Sequence, residues 1–133
     1  MSLSRAPKKW LCVGLVVAAG VVVSSAALAG YTISTPVFID SPYGEAWGQL
    51  STARYSSDSY QDIGCSNGTT GYIQCWARDA NDNYVYCASS SLGQYGNVTA
   101  GSINEGSFVA FTWTPSTGEC TSISVSNGSR YLH

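Results

Sequence analysis

The sequence predicts a small all-β domain, an antiparallel β-sandwich or curled sheet stapled by two disulfides. Three observations carry that reading. Short runs of β-branched and aromatic residues are divided by Gly, Asn, Asp and Pro, the pattern of strands and turns. No stretch repeats apolar residues at helical spacing among good helix formers. Cys65, Cys75, Cys87 and Cys120 follow a segment laid out like an export signal, where paired cysteines read as disulfides.

The export signal opens with Arg5, Lys8 and Lys9, continues through an apolar run over residues 11–26, and reaches Ala27-Leu28-Ala29. Those small residues suit a signal peptidase, so cleavage is expected before Gly30. An uncleaved anchor would also fit the length from Trp10 to Ala29, but the small-x-small site and Ser24-Ser25 favour a signal peptide. Cys12 lies at the start of the apolar run and not after it, which argues against a lipid-modified cysteine. The expected organisation is a signal peptide over 1–29 and one secreted β domain over 30–133, periplasmic or extracellular. The mature chain is not expected to insert in a membrane.

Cleavage leaves 104 of the 133 residues, enough for one domain. Arg54, Arg78 and Arg130 then stand against eight carboxylates, a net charge of −5. An acidic chain without a basic stripe is a poor partner for nucleic acid or anionic lipid. A chain this small buries only about two-thirds of its unfolded surface, so cross-links add appreciably to its stability. The cysteines lack the close ligand pairs of a zinc site, and no metal or other cofactor is expected.

Strands are expected at Pro36–Asp40, Trp47–Ser56, Tyr60–Cys65, Tyr72–Arg78, Tyr84–Ser89, Phe108–Thr114 and Thr121–Ser126. Turns fall at Asn67-Gly68, at Asp79 to Asn83 and across Thr114 to Gly118. Ser90–Gly106 reads as a long loop or one short helical turn. Folding the chain about Asn81 sets Cys75 opposite Cys87, Ala77 opposite Val85, Ile73 opposite Ser89 and Trp76 beside Tyr86. Alternation then turns Ile73, Cys75, Ala77, Val85 and Cys87 inward. Four cysteines allow three pairings; this register favours Cys75 with Cys87, which leaves Cys65 with Cys120. Phe108–Trp113 is apolar on both sides and reads as a central strand covered on two faces.

Three segments carry a family resemblance. Leu50-Ser51-x-Ala53-Arg54-x-Ser56-x-Asp58-Ser59-x-Gln61-x-Ile63-Gly64-Cys65 comes first. Cys75-x-Ala77-Arg78 follows, and Gly118-x-Cys120-Thr121-x-Ile123-x-Val125 closes the pattern. Over Trp47 to Tyr131 the chain resembles small exported bacterial four-cysteine proteins. The resemblance implies export and a four-cysteine β domain, and it carries no catalytic or binding role to any residue.

Candidate sites follow from side-chain chemistry. The single histidine, His133, is terminal, and cysteines held in disulfides are not nucleophiles, so acyl-transfer chemistry of the Ser-His or Cys-His type is not expected. Eight acids make a glycosidase-like carboxylate pair easy to find by chance, yet one small β domain offers little room for a walled cleft. No catalytic residue is assigned. Asp79-Ala80-Asn81-Asp82-Asn83 resembles the start of a calcium loop, but Tyr84 stands where Gly is needed and Ser90 where Glu is needed, so a polar turn is expected. Arg54, Asp58 and Asp62 would share one face of an extended strand as a rim ion pair. Asn67-Gly68-Thr69, Asn97-Val98-Thr99 and Asn127-Gly128-Ser129 fit the glycosylation pattern in a composition rich in those residues.

The candidate binding surface is the other face of the same hairpin, with Tyr72, Trp76, Arg78, Tyr84 and Tyr86. Flat rings there can stack on sugars or seat a peptide; equally, they can be cross-strand pairs buried under a second layer. The leading expectation is a non-catalytic secreted binding module for a polysaccharide or cell-surface component. The alternatives are a structural, self-associating envelope or matrix protein, and a disulfide-stapled inhibitor or effector of another protein that presents a loop such as Ser66–Gln74.

Overall fold

The computed structural model describes residues 31–132; the signal peptide expected over 1–29 lies outside them, as do Gly30 and His133. Seven strands form one sheet: β1 (Phe38–Asp40), β2 (Glu45–Gln49), β3 (Asp62–Asn67), β4 (Ile73–Arg78), β5 (Tyr84–Ser89), β6 (Ser107–Thr114) and β7 (Glu119–Asn127). Two short helices, α1 (Leu50–Arg54) and α2 (Gly93–Gly101), and a 3₁₀ turn at Ser129–Tyr131 complete it. The strand order is β1-β2-β6-β7-β5-β4-β3, and the sheet is not closed. Every neighbouring pair is antiparallel except β5 and β7, whose parallel joint sets Ala88 beside Glu119. The predominantly β fold and its two disulfides match the expectation from sequence. The sheet is mixed where a wholly antiparallel one was expected.

Alternation assigns the core. Ile63, Ile73, Cys75, Ala77, Cys87, Val109, Phe111 and Trp113 turn to one side and are buried there. The β4–β5 register is the one expected: Ile73 faces Ser89, Cys75 faces Cys87, Trp76 faces Tyr86 and Ala77 faces Val85. On β6 only the Val109, Phe111 and Trp113 side is buried; Phe108 and Ala110 are half-buried. The expected two-sided cover is therefore corrected. Among the described residues, Tyr131 stacks on Phe108 at 6.0 Å on that outer side, and Phe38 stacks on Trp47 at 4.4 Å.

The predicted long strand Trp47–Ser56 ends at Gln49, and α1 follows it. Tyr55 closes the helical turn through its N–H on the Ser51 carbonyl at 3.0 Å. Ser51, Thr52 and Ala53 are the residues of α1 that are buried. Their small side chains suit strand positions as well, because period-two and short helical patterns look alike over five residues. Asp58 then sits in a turn, so Arg54, Asp58 and Asp62 do not lie along one strand face. Within Ser90–Gly106 the helix α2 spans nine residues, more than the single turn allowed for. It crosses so close to β4 that a Cβ on Gly96 would meet Ile73 Cδ1 at 2.5 Å.

The disulfides join Cys65 to Cys75 and Cys87 to Cys120. This corrects the expected Cys75–Cys87 and Cys65–Cys120 pairing. Cys75 faces Cys87 on β5, as expected, but it also faces Cys65 on β3. Strand order explains which neighbour it bonds. Had Cys75 paired with Cys87, the remaining cysteines would lie on β3 and β7, three strand spacings or about 14 Å apart, beyond the reach of a disulfide.

A bulge makes the second bond feasible. The β6–β7 ladder runs regularly to Thr112 opposite Ser122, then resumes with Trp113 opposite Cys120, leaving Thr121 as an extra residue. In a regular ladder Thr121 would stand opposite Trp113, and alternation would turn Cys120 to the outer side. With the bulge, Cys120 shares the inner side with Trp113. Thr121 and Ser122 both point outward and both reach the Thr112 hydroxyl, at 2.7 and 2.8 Å.

Two outcomes are expected. Trypsin acting after Arg54, Arg78 and Arg130 without reductant should release peptides 55–78 and 79–130 as separate species, each with one internal disulfide. Mass spectrometry showing the two peptides covalently joined would contradict the pairing. In urea unfolding, replacing Cys87 and Cys120 together by Ala should cost more than replacing Cys65 and Cys75. Their closed loops span 33 and 10 residues, worth about 4 and about 3 kcal/mol of chain entropy.

Candidate functional site: an aromatic face on the β4–β5 hairpin

The outer side of β3, β4 and β5 forms three columns. Asp62, Arg78 and Tyr84 make one row, and Gly64, Trp76 and Tyr86 make the next. Tyr72 stands just before β4. The structure brings all five predicted residues to this surface and leaves it uncovered: Tyr72, Tyr84 and Tyr86 are 41, 53 and 44% exposed, and Trp76 is half-buried. The reading of these rings as a face buried beneath a second layer therefore does not hold.

Trp76 is held from beneath and at its edge. Gly64 lies directly across the ladder, and a Cβ there would come within 2.9 Å of the indole Cζ2. The absent side chain lets the ring lie over β3. Its Nε1–H donates to Asp62 Oδ2 at 2.8 Å, which fixes the ring's orientation in its plane. Arg78 sits at the far end of β4, where its guanidinium lies 5.3 Å from the Tyr84 ring centre and 3.1 Å from an Asp82 carboxylate oxygen. Both partners are substantially exposed, so that ion pair adds little stability. Tyr86 has a hydroxyl pushed above the ordinary tyrosine value by burial first, then by the Tyr72 hydroxyl and the neighbouring phenols.

β3 and the residue Tyr60 just before it add to this face. Tyr60, Asp62, Trp76, Arg78 and Tyr84 line an open groove of about 470 Å³ beside the rings. The signal was present in the cysteines. Setting Cys65 opposite Cys75 places Gly64 against Trp76 and Asp62 against Arg78, and the hairpin becomes a three-stranded platform.

The neighbouring loop is built by hydrogen bonds. Asp58 accepts from the Gln61 side chain at 2.7 Å and from the Gln61 and Tyr60 N–H groups. Gln61, through its side chain and its backbone N–H, holds the Asp58 carboxyl below the ordinary aspartate range. Gln61 also accepts from the Val37 N–H at 2.8 Å, so it ties the N-terminal segment to this loop. Arg54 is exposed, with its guanidinium 5.8 Å from the Tyr55 ring centre. The segment from Leu50 to Cys65 is thus a helical turn, an aspartate-held loop and the start of an edge strand.

The calcium-like run is a hairpin turn. Asp79 accepts from the Asn81 and Asn83 N–H groups and from the Asn83 side chain at 2.8–3.0 Å. Burial pushes the Asp79 carboxyl up, but these hydrogen bonds outweigh it and leave the group below its ordinary 3.8. Asp82 is committed to Arg78 and occupies left-handed backbone at φ 65°. Among the described residues all four cysteines are held in disulfides.

No protein-family model, curated protein or solved structure matches the chain.

Two substitutions test the construction. Gly64→Ala should lift the indole off β3 and break its bond to Asp62. The expected readout is a shifted tryptophan emission and a loss of about 1–3 kcal/mol in urea unfolding, as for an overpacked position. Unchanged emission would contradict the packing. For Asp79, the folded-state value is depressed, so its stabilisation is complete above 3.8 and is lost as pH falls through the folded value. The stability gap between wild type and Asp79→Asn should hold steady at neutral pH and close on acidification below that range. A gap that widens in acid would refute the turn's dependence on the carboxylate.

Proposed function

We propose that the protein is a non-catalytic exported binding module that takes a polysaccharide, or another sugar-bearing cell-surface component, on its aromatic hairpin face. The observation that carries this reading is the array of exposed Tyr72, Tyr84 and Tyr86 around a half-buried Trp76 that Gly64 and Asp62 hold in place. A large ring left half-open and yet oriented has one face available for stacking, and little ordering remains to be done on binding. Pyranose rings present apolar C–H faces to such rings. Tyrosine hydroxyls, Asp62 and Arg78 supply polar partners along the rim.

Charge narrows the ligand. Arg78 already has Asp82 as partner, and the domain carries a net charge of −5, which favours a neutral or amino-bearing polymer over a polyanion. The groove is open, suited to a chain that passes through it.

The test is retention on a panel of insoluble polysaccharides and cell-wall preparations, paired with titration by soluble oligosaccharides while tryptophan emission is followed. Saturable binding is expected for the wild type, to be abolished in Trp76→Ala and weakened about five-fold in Tyr86→Ala, as fits about 1 kcal/mol for one stacked ring. No saturable response across the panel, or binding untouched by both substitutions, would sink the proposal.

A further inference from the structure

The four sulfurs lie in a row across β3, β4, β5 and β7, and Cys75 occupies an inner place in it. We propose that Cys75 is an exchange centre, through which reduction of the Cys65–Cys75 disulfide by an external dithiol is passed to the Cys87–Cys120 disulfide. The product holds a Cys75–Cys87 bond and thiols at Cys65 and Cys120.

Three observations carry the inference. Cys75 stands directly opposite two cysteines, its bonded partner Cys65 on one side and Cys87 on the other. The Sγ atoms of Cys75, Cys87 and Cys120 all lie within 4.8 Å of one another. Access is unequal: Cys75, Cys87 and Cys120 are 0, 0 and 1% exposed, whereas Cys65 is half-buried on the edge strand β3. A reductant therefore meets the row at Cys65.

The steps balance. One thiolate of the dithiol attacks Cys65 Sγ and forms a mixed disulfide, and the Cys65–Cys75 bond breaks with its electron pair on Cys75. That thiolate is released into an apolar core where charge is costly, next to a disulfide already in range. It attacks Cys87 Sγ, the Cys75–Cys87 bond forms, and Cys120 leaves with the electron pair and takes up a proton. The second thiolate of the dithiol closes on its own sulfur, and Cys65 leaves as a thiolate that takes up a proton. The dithiol has lost two electrons and two protons; the protein has gained both, at Cys65 and Cys120.

The experiment uses the folded wild-type protein with one equivalent of dithiothreitol. Samples are quenched in acid over time, unfolded, alkylated with a maleimide and digested with trypsin. Cys65 and Cys75 share peptide 55–78, while Cys87 and Cys120 share peptide 79–130. Exchange therefore converts two unlinked peptides into one joined species, labelled at Cys65 and Cys120. Appearance of that species as the main singly reduced product is expected. Unlinked peptides labelled at Cys65 and Cys75, or a joined pair labelled at any other positions, would overturn the proposal. Reduction in denaturant should lose the preference; the same joined species there in equal yield would show that the fold does not direct the exchange, and would overturn it as well.

Discussion

Everything in this fold depends on bringing four cysteines to one side of four adjacent strands. The core has few large side chains to hold it: beside Ile63, Ile73, Val109, Phe111 and Trp113 stand Ala46, Ala53, Ala77 and Ala100. Small residues let strands and helices approach closely but bury little apolar area each. Sulfur bridges supply cohesion where aliphatic volume is lacking. The requirement reaches into local geometry, because one extra residue at Thr121 decides whether Cys120 turns toward Cys87 or away from it.

The outer side follows a different rule. It is finished with rings and short polar side chains, and its loops are secured mainly by hydrogen bonds. Gln61 joins Val37 to Asp58, and Asn127 accepts from Ser107 while donating to the Ser102 carbonyl. Asn67 donates to the Asn97 carbonyl at 2.9 Å. Two of the three asparagines in glycosylation-like triplets thus have side-chain amides already engaged in holding α2 and its flanks to the sheet.

Local pairing was legible in the sequence and long-range order was not. The β4–β5 register could be read because one polar turn fixes it and alternation does the rest. The aromatic face came with it. The disulfides were misassigned because Cys75 has two opposite neighbours, and only the order of β3 and β7 in the sheet separates them. Leu50–Arg54 hid its helix behind small residues that suit a strand equally well. Asp62 and Gly64 join the aromatic surface only through the β3–β4 ladder, the same long-range pairing that decides the disulfides. The outer side of β6 looked buried because Phe108 and Ala110 are apolar, yet Tyr131 gives Phe108 only a partial cover.

The second disulfide also governs how the molecule would respond to tension. Its loop runs from Cys87 to Cys120 and contains all of α2 and β6. A pull applied between residues 31 and 132 is transmitted across the sulfur bridge and bypasses that segment. The strand bearing Val109, Phe111 and Trp113 can be displaced as a body, but its contour length cannot be drawn out while the bond is intact. The small loop from Cys65 to Cys75 is shielded in the same way, so the two turns nearest the aromatic rings differ mechanically: the one from Ser66 to Gln74 is bypassed, and the one from Asp79 to Asn83 bears the load.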